Sequence, residues 1–175
     1  MNSTVAELDV LPPERASQIL GDCCGSMRWI SAMVARRPFG SMERLLAAAD
    51  ETWRSLGPDD WREAFSHHPR IGEQRSVKTQ SERGAAWAAG EQSGLSDAHD
   101  DIRRALADAN REYERRFGYI YVVCATGKTA EELLAMVTER LRNDPATELA
   151  VAADEQRKIT RLRLEKLLGQ QGDSA

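Results

Sequence analysis

The chain has 175 residues, of which 41% are hydrophobic and 30% are charged, and its formal net charge is −4. This composition is typical of one globular domain and excludes a disordered chain. A mildly acidic chain without a long basic block also argues against a nucleic-acid partner.

No apolar run approaches 18 residues, and the acidic N-terminus "MNSTVAELDV" has no signal-peptide core. Of the three cysteines, Cys23 and Cys24 are adjacent and Cys124 stands alone, so no CxxC spacing is present. We therefore expect a cytoplasmic protein with no membrane partner and no metal site. Its thiols are expected to be buried and to behave as small apolar residues.

Helix start and stop signals recur along the chain. Prolines suit the first helical position at Pro13 and Pro58, Ser41 can cap a helix, and Thr129 with Glu132 forms a capping box. These signals predict helices over residues 13–24, 26–37, 42–56, 58–67, 97–117, 130–143 and 145–168.

So much predicted helix indicates an all-α fold, a single-domain bundle of about seven to nine helices. We expect this helical domain to cover residues 12–169. An N-terminal arm at 1–11 would precede it, and a flexible tail at 170–175 would follow it.

One stretch does not fit the helical pattern. Residues 118–125, "GYIYVVCA", are β-branched and aromatic and would pass for a buried strand. The chain offers no second strand to pair with it, so we expect one buried extended segment. Its N–H and C=O groups then need partners from side chains, water, a second subunit or a ligand.

Two of the three histidines are adjacent in "FSHHPRIGE", residues 65–73. Pro69 disfavours helical backbone for the residue before it, so the helix should end about His67 and leave His68 extended. A histidine at such a position can act as an acid or a base near neutral pH. The alternative is that both imidazoles only pair with the last helical carbonyls.

Glu91 and Gln92 lie in "AAWAAGEQSGL", a segment that is otherwise small and apolar. Trp87 lies one helical turn before Glu91 and shares its face. A carboxylate and an amide in this setting indicate a polar partner. A solvated pair near a helix end is the alternative.

Arg163 has Ile159 four residues before it and Leu167 four residues after it, which places it on an apolar helical stripe. The same spacing puts Arg161 among charged residues on the solvated face. A guanidinium on an apolar face needs an anion, either an internal carboxylate or a bound one.

These stretches together resemble one family, the cofactor-independent 2-oxo-4-hydroxy-4-carboxy-5-ureidoimidazoline (OHCU) decarboxylases of urate breakdown. The resemblance runs from about Pro12 to Leu168, with the motifs in the family's order. They are "FSHHPRIGE", "WAAGEQSGL", "YERRFGYIYVVCATGKTAEELL" and "KITRLRLEKLL".

The resemblance implies that the catalytic histidine is His68 and not His67, with Glu91 as the family's acid. The implied substrate-binding residues are Pro69, Ala88, Glu91, Gln92, Tyr121, Val122, Val123, Cys124, Ala125 and Arg163. Ala88 departs from the family pattern, which commonly carries a serine at this position. The missing hydroxyl bears on how the substrate is positioned.

The implied reaction converts OHCU to (S)-allantoin without a metal or an organic cofactor, in a homodimer. The substrate carries a carboxylate and a hydroxyl on a ring carbon beside a C=N bond, so its own ring accepts the electron pair as carbon dioxide leaves. His68, oriented by Glu91, would transfer protons. Gln92 and the backbone of residues 121–125 would hold the ureido group and the ring amides.

Two alternatives stay open at this point. A metal-dependent hydrolase could use His67, His68 and His99, although adjacent side chains diverge and no H-E-x-x-H spacing is present. A non-catalytic helical interaction module could retain the pocket, and Ala88 keeps this alternative open.

Overall fold

The computed structural model describes residues 4–71, 82–91 and 100–169. In these ranges the chain forms nine α-helices and no β-strand, which confirms the predicted all-α fold. The helices are α1 (Val5–Val10), α2 (Pro13–Cys23), α3 (Met27–Ala35), α4 (Met42–Ser55), α5 (Pro58–Ser66), α6 (Glu82–Glu91), α7 (Asp100–Phe117), α8 (Ala130–Arg140) and α9 (Pro145–Leu168). None of the helices in these ranges is both long enough and apolar enough to cross a membrane.

The predicted caps are present where the structure describes them. The Ser41 hydroxyl accepts a hydrogen bond from the Arg44 N–H at the start of α4. Thr129 and Glu132 form both bonds of the capping box at the start of α8. Gly118 ends α7 with a φ of 80°, a left-handed conformation that favours glycine.

Helix α1 lies where the sequence predicted only an N-terminal arm. Thr4 and Glu7 form a capping box at its start, and Val5 and Leu8 are buried. The Arg37 guanidinium donates to the carbonyl oxygens of Leu8 and Leu11, each at 2.7 Å. These two bonds satisfy carbonyls that the end of a short helix leaves without intrahelical partners.

The chain divides into two compact units. The first unit comprises Met1–Ala64 and Arg157–Ala175, and the second comprises Phe65–Gln156. In the first unit the buried Trp29 indole N–H donates to the Ala49 carbonyl at 3.2 Å. Apolar residues of the same unit complete this core, namely Leu20, Met33, Leu45 and Leu164.

The core of the second unit is built around Tyr113 of α7, which is fully buried. Its ring centroid lies 4.7 Å from that of Phe117 and 5.2 Å from that of Tyr121. Leu133 and Val137 of α8 belong to the same cluster. The aromatic half of the extended segment is therefore part of this core.

Candidate active site

His68 follows the last residues of α5 in the second unit. Its backbone N–H donates to the Phe65 carbonyl at 3.1 Å, and α5 ends at Ser66, as the proline at position 69 predicted. The Asn110 side chain donates to the Ile71 carbonyl at 3.0 Å and so fixes the chain beyond the proline. The backbone on both sides of His68 is thereby held.

The His68 imidazole is half-buried and makes a close contact with α9. Its Nε2 lies 2.6 Å from Oε1 of Gln156, a side chain with no solvent exposure. His67, also half-buried, precedes it. The sequence did not single out Gln156.

The extended segment is buried from Tyr121 to Ala125, as predicted. Side chains of the same unit supply partners for its backbone. The Cys124 N–H donates to Oε2 of Glu155 at 2.7 Å, and the Val122 carbonyl accepts from Nη1 of Arg140 at 2.8 Å. The Cys124 carbonyl accepts from Nζ of Lys128 at 2.7 Å.

Arg140 belongs to a buried ion-pair network behind this segment. Its Nη2 lies 2.6 Å from Oε1 of Glu148, and both side chains are almost fully buried. The Tyr113 hydroxyl donates to the same carboxylate, and Asn143 donates to its other oxygen at 2.8 Å. The Arg140 guanidinium also lies over the Tyr121 ring, 4.7 Å from its centroid.

Burial and these charges shift the pKa values of Arg140 and Tyr121. Burial disfavours the charged guanidinium, but the hydrogen bond to Glu148 and the charges of Tyr113, Tyr121 and Glu148 together outweigh it and raise the pKa of Arg140. Burial raises the pKa of Tyr121 to about 12, although Arg140 opposes the rise. At neutral pH the network therefore combines a cationic arginine with a neutral Tyr121 phenol.

Glu91 is the last residue of α6 and is half-buried. Burial raises the pKa of the Cys124 thiol, Lys128 opposes this, and the charges of Glu155 and Glu91 add to the rise. The Glu91 carboxylate thus acts electrostatically on the extended segment. Gln92 lies outside the described residues, as does the side chain of Ala88.

Arg163 lies in the first unit and is 4% exposed, in agreement with its place on an apolar stripe. Its Nη1 is 3.5 Å from the Asp22 carbonyl oxygen. Burial raises the pKa of the neighbouring Cys24 thiol to about 12, and Arg163 opposes the rise. Arg161 is more exposed and pairs with Asp50 at 3.1 Å.

Four polar residues of the second unit were missed by the sequence analysis, namely Arg140, Glu148, Glu155 and Gln156. A signal for Gln156 was present. Gln156 lies four residues after Ala152 and three before Ile159, on the helical stripe that predicted the burial of Arg163. Applied to every polar residue of α9, the same test would have selected Gln156.

Among the described residues, no three His, Cys, Asp or Glu side chains are grouped so as to hold a metal ion. His99, which the metal-dependent alternative requires, lies outside these ranges.

Both the sequence and the fold of this chain match known proteins. The family model described as OHCU decarboxylase matches residues 9–165. The crystal structure of an OHCU decarboxylase in the presence of (S)-allantoin superposes with a TM-score of 0.75 at 32% identity. That superposition covers 91% of this chain and all of the other.

Two curated relatives agree with this match. The uric acid degradation bifunctional protein TTL of Arabidopsis thaliana is 36% identical over 145 residues, 83% of this chain and 45% of that protein. The chain therefore spans less than half of this longer relative. The 2-oxo-4-hydroxy-4-carboxy-5-ureidoimidazoline decarboxylase of Amia calva is 33% identical over 141 residues, 79% of this chain and 78% of that protein.

These matches confirm the predicted family and, for the family, the predicted class of enzyme, a decarboxylase acting as a carbon–carbon lyase. The roles assigned to individual residues stay predictions. The chain belongs to the OHCU decarboxylase family.

Proposed function

We propose that this chain decarboxylates OHCU to (S)-allantoin in urate breakdown, with His68 as the acid–base group. One structural observation carries the proposal. Within the second unit, α9 joins His68 to the buried segment 121–125, because Gln156 contacts the imidazole and Glu155 binds the Cys124 N–H. A proton-transferring side chain and a fixed stretch of backbone are the two parts that the reaction requires.

The reaction requires little from the protein besides substrate positioning and proton transfer. Breaking the bond from the ring carbon to its carboxylate releases carbon dioxide, and the electron pair enters the adjacent C=N system. The ring nitrogen takes up one proton and a second proton reaches one face of the neighbouring carbon. The hydroxyl loses its proton to become the carbonyl of allantoin, so the net gain of one proton balances the loss of carbon dioxide. Acid–base catalysis of such steps contributes about 10²- to 10⁴-fold to the rate.

His68 would transfer these protons, with Glu91 orienting the imidazole or holding its charge. Side chains already engage three backbone groups of the segment: Glu155 binds the Cys124 N–H, Lys128 the Cys124 carbonyl and Arg140 the Val122 carbonyl. The Ala125 carbonyl accepts from the Lys128 N–H. We assign contact with the ureido and ring amides to the other groups of residues 121–125 and to Gln92. Pro69 and Ala88 would line the pocket, and Arg163 would bind an anionic group.

We also propose that the protein is cytoplasmic and that it forms a homodimer, the homodimer being what the family resemblance implies. Sedimentation equilibrium would measure the mass of the assembly directly. A monomer at micromolar concentration would contradict the dimer and leave the decarboxylase proposal unaffected.

Turnover of freshly generated OHCU tests the proposal. We expect carbon dioxide release and a circular dichroism signal of (S)-allantoin, with full activity after exhaustive EDTA treatment and dialysis. Loss of activity on chelation would favour the metal-dependent alternative. Allantoin binding without turnover would instead favour the non-catalytic module.

The Ala88→Ser variant tests the departure from the family pattern. If the missing hydroxyl affects only positioning, the variant should bind substrate more tightly by about 0.5–1.5 kcal/mol, the value of one neutral hydrogen bond. A wild-type chain that becomes active only as Ala88→Ser would show that this protein has lost catalysis and kept its pocket.

A further inference from the structure

We propose that Gln156 is a positioning residue that fixes the tautomer of His68. In this arrangement Nε2 carries a ring proton, and Nδ1 is the nitrogen that exchanges a proton with the substrate. The choice of tautomer stands on the geometry alone, whereas the role of Nδ1 rests on the proposed function.

The direction of the hydrogen bond follows from the atoms involved. Oε1 of Gln156 lies 2.6 Å from Nε2 of His68. A carboxamide oxygen accepts hydrogen bonds and cannot donate them, so the proton must be on Nε2. In the neutral imidazole only one nitrogen carries a proton, which leaves the lone pair on Nδ1.

The burial of Gln156 makes its hydrogen bond to His68 costly to break. Its side chain has no solvent exposure, and the adjacent Glu155 is tied to the Cys124 N–H at 2.7 Å. An amide buried this deeply loses its hydrogen bond only at the cost of an unsatisfied polar group, since water cannot replace the partner. Breaking the contact between Gln156 and His68 is therefore costly whether or not a substrate is bound.

The imidazole is also constrained from its own backbone. The His68 N–H is bonded to the Phe65 carbonyl, and Pro69 limits the backbone conformations of His68. With the main chain fixed at one end and Nε2 fixed at the other, the ring has little freedom to turn over. A ring flip about the Cβ–Cγ bond would place Cε1 where Nε2 now lies and break the contact with Gln156.

The proposal has a consequence for the proton path. The same bond holds when His68 is protonated, since the imidazolium keeps its Nε2–H and adds a proton at Nδ1. Proton uptake and release would then both occur at Nδ1 without any movement of Gln156. This is how a fixed partner contributes to catalysis without touching the substrate.

Long-range ¹H–¹⁵N correlation spectra of the histidines test the tautomer. At about pH 8.5, two units above the ordinary histidine pKa, we expect His68 to carry its proton on Nε2. The His67→Asn, His68→Asn and His99→Asn variants assign the signals. A His68 spectrum with the only ring proton on Nδ1 would overturn the proposal.

Two substitutions of Gln156 then separate positioning from packing. Gln156→Met is of similar length but accepts no strong hydrogen bond, so both tautomers should appear and kcat should fall about tenfold with little change in KM. Gln156→Glu keeps an oxygen acceptor and should keep the Nε2–H tautomer, which preserves the test if the methionine variant does not fold. Gln18→Met, the same change at an exposed position of α2, is the control and should leave the spectrum and kcat unchanged.

A Gln156→Met protein with the wild-type tautomer and wild-type kcat would also overturn the proposal. The spectra need no substrate. If the chain fails to turn over OHCU, the proposed function is refuted while the tautomer can still be read.

Discussion

Glu155 holds the backbone of Cys124: its carboxylate oxygen Oε2 lies 2.7 Å from the Cys124 nitrogen, and both residues are buried. A charge-assisted bond of this kind is shorter and stronger than a neutral one. It ties the middle of the extended segment to a long helix, and within residues 4–71, 82–91 and 100–169 no strand lies beside that segment. The segment is therefore positioned by a side chain from α9 in place of a sheet.

We expect Glu155→Leu to release this part of the segment. The Cys124 N–H would be buried without its acceptor, a cost of about 1–3 kcal/mol. Hydrogen exchange should show the Cys124 amide exchanging faster, and calorimetry should show weaker allantoin binding. Glu155→Gln keeps an acceptor oxygen and should change both quantities less. Equal protection of the Cys124 amide in all three proteins would contradict the assignment.

His68→Asn should lower kcat by about 10²-fold or more, the usual effect of losing an acid–base group. His67→Asn should retain most of the activity, because the contact with Gln156 belongs to His68. Steady-state kinetics with freshly generated OHCU measures both. The opposite ranking would mean that the catalytic histidine is His67.

The sequence predicted most helices because their signals are local. A proline, a capping serine or a terminal glycine acts within one turn of its own position, as at Ser41 and Gly118. Helix α1 was missed although Thr4 and Glu7 form the same capping box that predicted α8. At six residues it is too short to show the apolar periodicity by which helices are recognised.

The site was predicted less completely, for a physical reason. His68 and Pro69 are neighbours in the chain, so their combination is visible in the sequence. Gln156 lies 88 residues after His68, and their contact depends on the packing of α9 within the second unit. The same holds for the hydrogen bond between Arg140 and Val122, which no local sequence pattern predicts.

Arg163→Met should weaken substrate capture more than Arg161→Met. Arg163 is 4% exposed on the apolar stripe of α9, whereas Arg161 pairs with Asp50 at a partly exposed position. We expect KM to rise for Arg163→Met and to stay near the wild-type value for Arg161→Met. Circular dichroism should establish that both variants are folded. Similar small effects on KM would mean that Arg163 only serves the interior of the first unit.

Stability should fall in alkaline solution because buried acids cannot ionise in the native state. Burial raises the pKa of Cys24 from 9.0 and that of Tyr121 from 10.0, each to about 12. Above about pH 9 the unfolded chain loses these protons first, so the unfolding free energy falls as the pH rises towards 12. Each of the two groups lowers the unfolding free energy by at most about 1.4 kcal/mol per pH unit. Urea unfolding at pH 8 to 10.5 measures this slope, which should be shallower for Cys24→Ala.

The ion pair between Arg140 and Glu148 should be the most costly polar contact to break. Glu148→Ala leaves a buried guanidinium uncompensated, so the unfolding free energy should fall by about 3–5 kcal/mol. A double-mutant cycle with Arg140→Ala should show strong coupling. In the double variant, Arg140→Ala removes the buried charge that Glu148→Ala alone leaves unpaired.

The exposed pair of Asp101 and Arg104 on α7 is the matched control for this cycle. Its nitrogen and oxygen are 2.6 Å apart, the same distance as in the buried pair. Because water solvates both of its partners, the Asp101→Ala and Arg104→Ala cycle should give a coupling below about 1 kcal/mol. Urea titrations of the wild type and the six variants supply both coupling energies. Equal coupling in the two cycles would show that distance, and not burial, sets the strength of the Arg140–Glu148 contact.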